Sequence, residues 1–224
     1  MKKLSFLLVC IASQKFGFGH LNRSISFSRF INKRHKSKII TFSNDLNTKK
    51  LRKYNPNLIE KFSKKINIRE IKKYDFLIFD ISNNFFLKKR ITNHLEKISN
   101  SFQDKIIILD GLKNEMIHKN KKIKKKLLIC PYFIENDEIK KDSRYTKYLI
   151  GPSYFIFNPK IVKFKKEKLN KKVKNILITC GGSDLEFNSY RLIESLLELN
   201  LDIKITVIVG PLRYGKMRIY QFII

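Results

Sequence analysis

Leu4-Ser5-Phe6-Leu7-Leu8-Val9-Cys10-Ile11-Ala12, running on to Gly17-Phe18-Gly19-His20, is the stretch that decides the fold. The first part is continuously apolar rather than alternating, which is the pattern of a strand covered on both faces in a parallel sheet. A strand that ends in glycines and turns into a helix brings backbone N–H groups up to whatever lies above the sheet edge. A histidine at that turn adds an acid–base group to the same crevice. The string is short, and on its own it marks a candidate site and nothing more.

Outward from this turn, apolar β-rich runs recur with helical patterns between most of them. Leu21, Ile25, Ser28 and Ile31 follow at helical spacing, with Arg23, Arg29 and Lys33 elsewhere on the wheel. A strand is expected over 38–42, a polar helix over 44–54 and a weak strand near 66–68. Tyr74-Asp75-Phe76-Leu77-Ile78-Phe79-Asp80 is a clear buried strand, followed by a helix over about 85–99 and a strand over 105–110. Further runs fall at 127–130 and 148–151. Strands alternating with helices imply a mostly parallel, doubly wound sheet.

A second cycle begins after a strongly basic stretch. Asn175-Ile176-Leu177-Ile178-Thr179-Cys180 runs into Gly181-Gly182-Ser183-Asp184. A helix follows whose Tyr190, Ile193, Leu196 and Leu197 share one apolar face, and then a strand over 203–209. This organisation gives an N-terminal Rossmann-like domain over 1–160, a basic linker over 161–174 and the incomplete start of a nucleotide-binding domain over 175–224. The last twelve or so residues (213–224) show no clear periodicity, so the chain reads as a truncated or partial form of a longer protein.

Composition sets further bounds. Forty-three per cent hydrophobic and 12% aromatic residues suffice for a packed core, and 48 Lys+Arg against 19 Asp+Glu give a net charge of +29. Such an excess binds phosphate backbones or anionic surfaces. Here the lysines are spread over most segments beside abundant Asn, Ile and Phe, which points to a biased composition and to no specific nucleic-acid partner. The cysteines, Cys10, Cys130 and Cys180, are odd in number and widely spaced, which fits a reducing, cytoplasmic setting and neither a disulfide framework nor a zinc site. No apolar run reaches the roughly 20 residues that span a bilayer. Met1-Lys2-Lys3 with its apolar run has the outline of a secretory signal, but the glycine turn and helix that follow favour a buried first strand. Oligomeric state is not legible.

Together these motifs resemble one enzyme family. Ser13-Gln14-Lys15-Phe16-Gly17-Phe18-Gly19-His20-Leu21-Asn22-Arg23 is similar to the opening of the UDP-2,4-diacetamido-2,4,6-trideoxy-β-L-altropyranose hydrolases of the pseudaminic-acid pathway, relatives of the spore-coat polysaccharide protein and of GT-B glycosyltransferases. Phe76-Leu77-Ile78-Phe79-Asp80, Ile108-Leu109-Asp110, Gly151-Pro152-Ser153-Tyr154 and Ile178-Thr179-Cys180-Gly181-Gly182-Ser183-Asp184 follow in the family's order. Two positions depart from its pattern: Asp110-Gly111 stands where an acidic pair is usual, and Asn158-Pro159 where an arginine or acid is expected.

The resemblance implies a GT-B-like protein with two Rossmann-like domains facing a cleft, a UDP-sugar substrate, and no cofactor or required metal. It implies that His20 activates the water that attacks the anomeric carbon. A helix N-terminus disfavours the imidazolium and suits that role. The candidate substrate-binding residues are Gly17, Gly19, Arg23, Asp80, Tyr154, Gly181, Gly182, Ser183, Asp184 and Asn188, with the Gly181-Gly182-Ser183 loop as a phosphate cradle. Plainer roles stand beside these. Asp80 and Asp110 could each cap a following helix, Ser183 or Asp184 could cap the helix after the loop, and Tyr154 could lie in the core. His35, His94 and His118 read as surface residues. The rival functions are a GT-B glycosyltransferase and a non-catalytic basic module for nucleic acid or anionic surfaces.

Overall fold

A computed structural model describes residues 2–12, 17–42, 58–61, 68–81, 97–98, 100–102, 105–109, 127–132, 147–159, 161, 164, 172–182, 184, 187–199, 202–210 and 218–223. The chain divides into two compact units, one of Met1–Ile11 with His20–Pro159 and the other of Ala12–Gly19 with Lys160–Ile224.

The first unit is built on a seven-stranded sheet. Its strands are β1 (Ser5–Ile11), β2 (Lys36–Phe42), β3 (Leu58–Lys61), β4 (Phe76–Asp80), β5 (Ile106–Leu109), β6 (Leu127–Cys130) and β7 (Lys147–Ile150). They lie in the order β3-β2-β1-β4-β5-β6-β7, with every neighbouring pair parallel. This is an α/β architecture with the strand order of a Rossmann-like sheet. The central strands are apolar throughout because both faces are covered: Leu7, Leu8, Val9, Leu77, Ile78 and Phe79 have no exposed surface. Each such side chain contributes roughly 1.5–3 kcal/mol on burial.

Helix α1 (Gly19–Ile31) leaves the end of β1 and buries Leu21, Ser24, Ser26, Ser28 and Ile31. Ser28 is satisfied locally: the Ser28 and Ser37 hydroxyls bond to each other at 2.8 Å, and Ser37 Oγ donates to Asn32 Oδ1 at 2.9 Å. Such pairing is what a buried hydroxyl requires. A single short turn, α2 (Ile68–Ile71), precedes β4.

The second unit carries a three-stranded sheet in the order β10-β9-β8, made of β8 (Asn175–Thr179), β9 (Lys204–Val209) and β10 (Arg218–Ile223). β8 and β9 are parallel, and β10 runs antiparallel to β9. Helix α3 (Asn188–Leu197) links β8 to β9. Ile178, Ile203, Ile205 and Val207 form its core, with Ile193 and Leu196 of α3 packed against them.

Several expectations need correction. The weak strand near 66–68 is absent at Ile68, which begins α2, and the strand in this region is β3. The tail without periodicity contains β10, whose pairing with β9 supplies the order that local pattern does not. On α3 only Ile193 and Leu196 face the core, while Tyr190 and Leu197 are exposed. Tyr154 is 41% exposed in a 3-10 turn (Pro152–Tyr154) and does not enter the core. The polar helix over 44–54, most of the helix over 85–99, Asp110, His94 and His118 lie outside the described residues. Among the described residues, no helix is long and apolar enough to cross a membrane.

Candidate active site

The sheet order reverses between β1 and β4. From β1 the chain winds outward through β2 and β3, and from β4 it winds the other way to β7. At such a switch point the loops leaving two adjacent strands diverge and open a crevice beyond their carboxyl ends. Asp80 closes β4 in register with Cys10 of β1. His20 and Arg23 sit in the first turn and a half of α1, one helical turn apart and therefore on the same face. The topology brings the three together.

The contacts are specific. His20 Nδ1 lies 2.8 Å from Asp80 Oδ1. Arg23 Nε donates to Asp80 Oδ1 and Oδ2 at 3.1 and 3.0 Å, and its Nη2 donates to Oδ1 as well. Ser24 Oγ donates to Oδ2 at 3.3 Å. The Asp80 side chain is wholly buried, and those of His20 and Arg23 are 15% and 11% exposed. A carboxylate with no water around it is tenable only when paired in this way. Arg23 Nη1 donates onward to the Tyr132 hydroxyl at 3.3 Å. Beneath the carboxylate, burial first and the Asp80 charge second push the Cys10 thiol up to about 12, so it stays a neutral thiol.

Among the described residues, His20 Nδ1 has two neighbours of opposite kind: Asp80 Oδ1, which only accepts, and Arg23 Nη2 at 3.0 Å, which only donates. An unprotonated Nδ1 would set its lone pair against a carboxylate oxygen at 2.8 Å, whereas Nη2 has a second N–H and its bond to Asp80 to use. We therefore assign the imidazole proton to Nδ1, where it makes a charge-assisted bond to the carboxylate. Nε2 is then the basic atom.

Of the other sequence-predicted residues, Gly19 opens α1, and Gly17 adopts φ 70°, a left-handed conformation that side chains disfavour. Tyr154 stands beyond β7 in the first unit. Gly181, Gly182, Asp184 and Asn188 belong to the second unit, and Ser183 is outside the described residues. Asp184 is committed to capping: its carboxylate accepts from the Asn188 N–H at 2.9 Å, the Ser189 N–H at 3.3 Å and the Ser189 hydroxyl. The Gly181 and Gly182 carbonyls press on Gly210, where any Cβ would fall inside van der Waals contact with both oxygens. Tyr132 was not anticipated. The rule that singled out Asp80, a polar residue at the carboxyl end of a buried strand, extends to Tyr132, two positions beyond β6.

No family model, curated protein or solved structure matches the chain. Among the described residues, no group of three or more His, Cys, Asp or Glu is placed to hold a metal ion.

Proposed function

We propose that this chain hydrolyses a UDP-linked amino sugar of the 2,4-diacetamido-2,4,6-trideoxy-altropyranose type to UDP and the free sugar. In this reading the architecture is GT-B-like, and the second unit serves the nucleotide. The observation that carries the proposal is a His20 imidazole backed by a fully buried, Arg23-paired Asp80 at the switch point of a parallel sheet. A histidine held this way is a preorganised general base.

Nε2 takes a proton from water as the water oxygen bonds to the anomeric carbon. The bond from that carbon to the β-phosphate oxygen breaks, and its electron pair leaves on UDP. Asp80 keeps the Nδ1 proton in place and offsets the charge that forms on the ring.

The test is UDP release from the altropyranose donor with no acceptor present. Wild-type protein is expected to turn over, and His20→Ala to lose about 10²–10⁴-fold while keeping its far-ultraviolet circular dichroism. Turnover that appears only with an added acceptor would replace hydrolase by transferase. Retention of full activity in His20→Ala would remove the proposed base.

A further inference from the structure

A carboxylate removed from water must take up a proton or be matched by a cation. Among the described residues, two side chains stand ready to match Asp80. Arg23 is charged under all ordinary conditions, whereas His20 is charged only when both ring nitrogens carry protons. Among the described residues, the elements around Asp80 supply few other charges. β1 contributes Cys10, which stays neutral; α1 contributes His20, Arg23 and the uncharged Ser24; and the residue beyond β6 is Tyr132. Because Arg23 already places Nε and Nη2 on the carboxylate, the charge of Asp80 is met without a second proton on His20.

We propose that Arg23 is a positioning residue that keeps His20 neutral, with its proton on Nδ1, and that Tyr132 holds Arg23 in the orientation this requires. Without Arg23 the nearest cation available to Asp80 among the described residues is the doubly protonated imidazole. That species has no lone pair on Nε2 and cannot act as a base. Tyr132 enters because its hydroxyl accepts from Nη1, on the opposite side of the guanidinium from Asp80's bond to Nε. The guanidinium is thereby fixed at two ends, as its planar fork allows and a lysine would not. The consequence for catalysis rests on the hydrolase reading above, whereas the protonation state does not.

The experiment is long-range proton–nitrogen NMR on protein with labelled histidine, which separates Nδ1–H, Nε2–H and imidazolium forms; His20→Gln assigns the resonance. At pH 7.5 wild-type His20 is expected as the Nδ1–H form. Arg23→Gln is expected to convert it to imidazolium, Arg23→Lys to retain the neutral form by restoring the charge, and Tyr132→Phe to convert part of the population. An Nε2–H ring in wild type, or an unchanged ring in Arg23→Gln, overturns the proposal. If Arg23→Gln does not fold, Tyr132→Phe on the half-exposed rim decides, and an unchanged His20 signal there overturns it. In turnover, Arg23→Gln should lower kcat about tenfold or more with little change in KM, and move the acid limb of the profile to higher pH. Expected spectra in a protein that releases no UDP would refute the hydrolase reading alone. Turnover with unchanged spectra in Arg23→Gln would refute this proposal alone.

Discussion

Asp80 is the residue on which the site depends, and its loss should show in stability as well as in chemistry. Asp80→Ala leaves the guanidinium of Arg23, itself only 11% exposed, without its carboxylate, and leaves Ser24 Oγ without the acceptor it uses. Removing one partner of a buried ion pair costs about 3–5 kcal/mol. The urea midpoint of Asp80→Ala should fall accordingly, and a loss below about 1 kcal/mol would mean that water reaches the pair. His20 and Asp80 were both legible in the sequence, one from a glycine turn and the other from a strand end. Their relation was not, because a separation of sixty residues closes only through the pairing of β1 with β4. The sequence left Asp80 between ligand contact and helix cap, and in the structure its carboxylate holds His20 and Arg23. Tyr132 went unnoticed because the strand before it, only four residues long, gave its ending little weight.

Among the elements, β1 and β4 are joined at both ends, by the His20–Asp80–Arg23 group at the carboxyl edge and by a clasp at the amino edge. There the Ser5 N–H and hydroxyl donate to Asp75 Oδ2 at 2.7 and 2.8 Å. The Ser5 hydroxyl first, and its N–H second, hold the Asp75 carboxyl below the usual carboxylate range. A carboxyl lowered on folding stabilises the protein above its unfolded value of about 3.9 and ceases to do so as pH falls through the lower folded value. Ser5→Ala should therefore reduce the urea midpoint at pH 6, and the gap from wild type should narrow by pH 3. An equal gap at both pH values would assign the effect to packing rather than to the carboxylate. The elements read correctly from sequence are those whose apolar run is explained by burial on two faces, β1, β4 and β5 above all. β3 and β10 escaped because each is specified by a neighbour: β3 by its place beside β2, β10 by antiparallel register with β9. On α3, periodicity named four apolar positions, yet a helix that packs on one narrow sheet sets only the two aimed at it against the core, and those partly buried.

At the scale of the whole molecule the dominant fact is charge. The chain carries +29. The described residues show where part of that charge lies: Lys2, Lys3, Lys33, Arg34, Lys36, Lys38, Lys72, Lys73 and Lys105 are exposed on the first unit, and Lys172, Lys174, Arg191 and Lys204 on the second. Compaction brings like charges together, so a net charge this large opposes the folded state by self-repulsion. The repulsion is long-ranged at about 0.01 M salt, where the screening length is about 30 Å, and is much reduced at 0.15 M, where it is about 8 Å. The site itself is insulated from this field, because Asp80 meets Arg23 and His20 out of solvent, where salt screens little. Raising sodium chloride from 0.01 to 0.15 M should thus increase the thermal midpoint, while the Nδ1–H signature of His20 stays constant over the same range. A midpoint that falls with salt would mean that oppositely charged pairs outweigh repulsion on this surface. A His20 signal that changes with salt would mean that the pair is solvated, and Asp80 would then have no need of Arg23 to remain ionised.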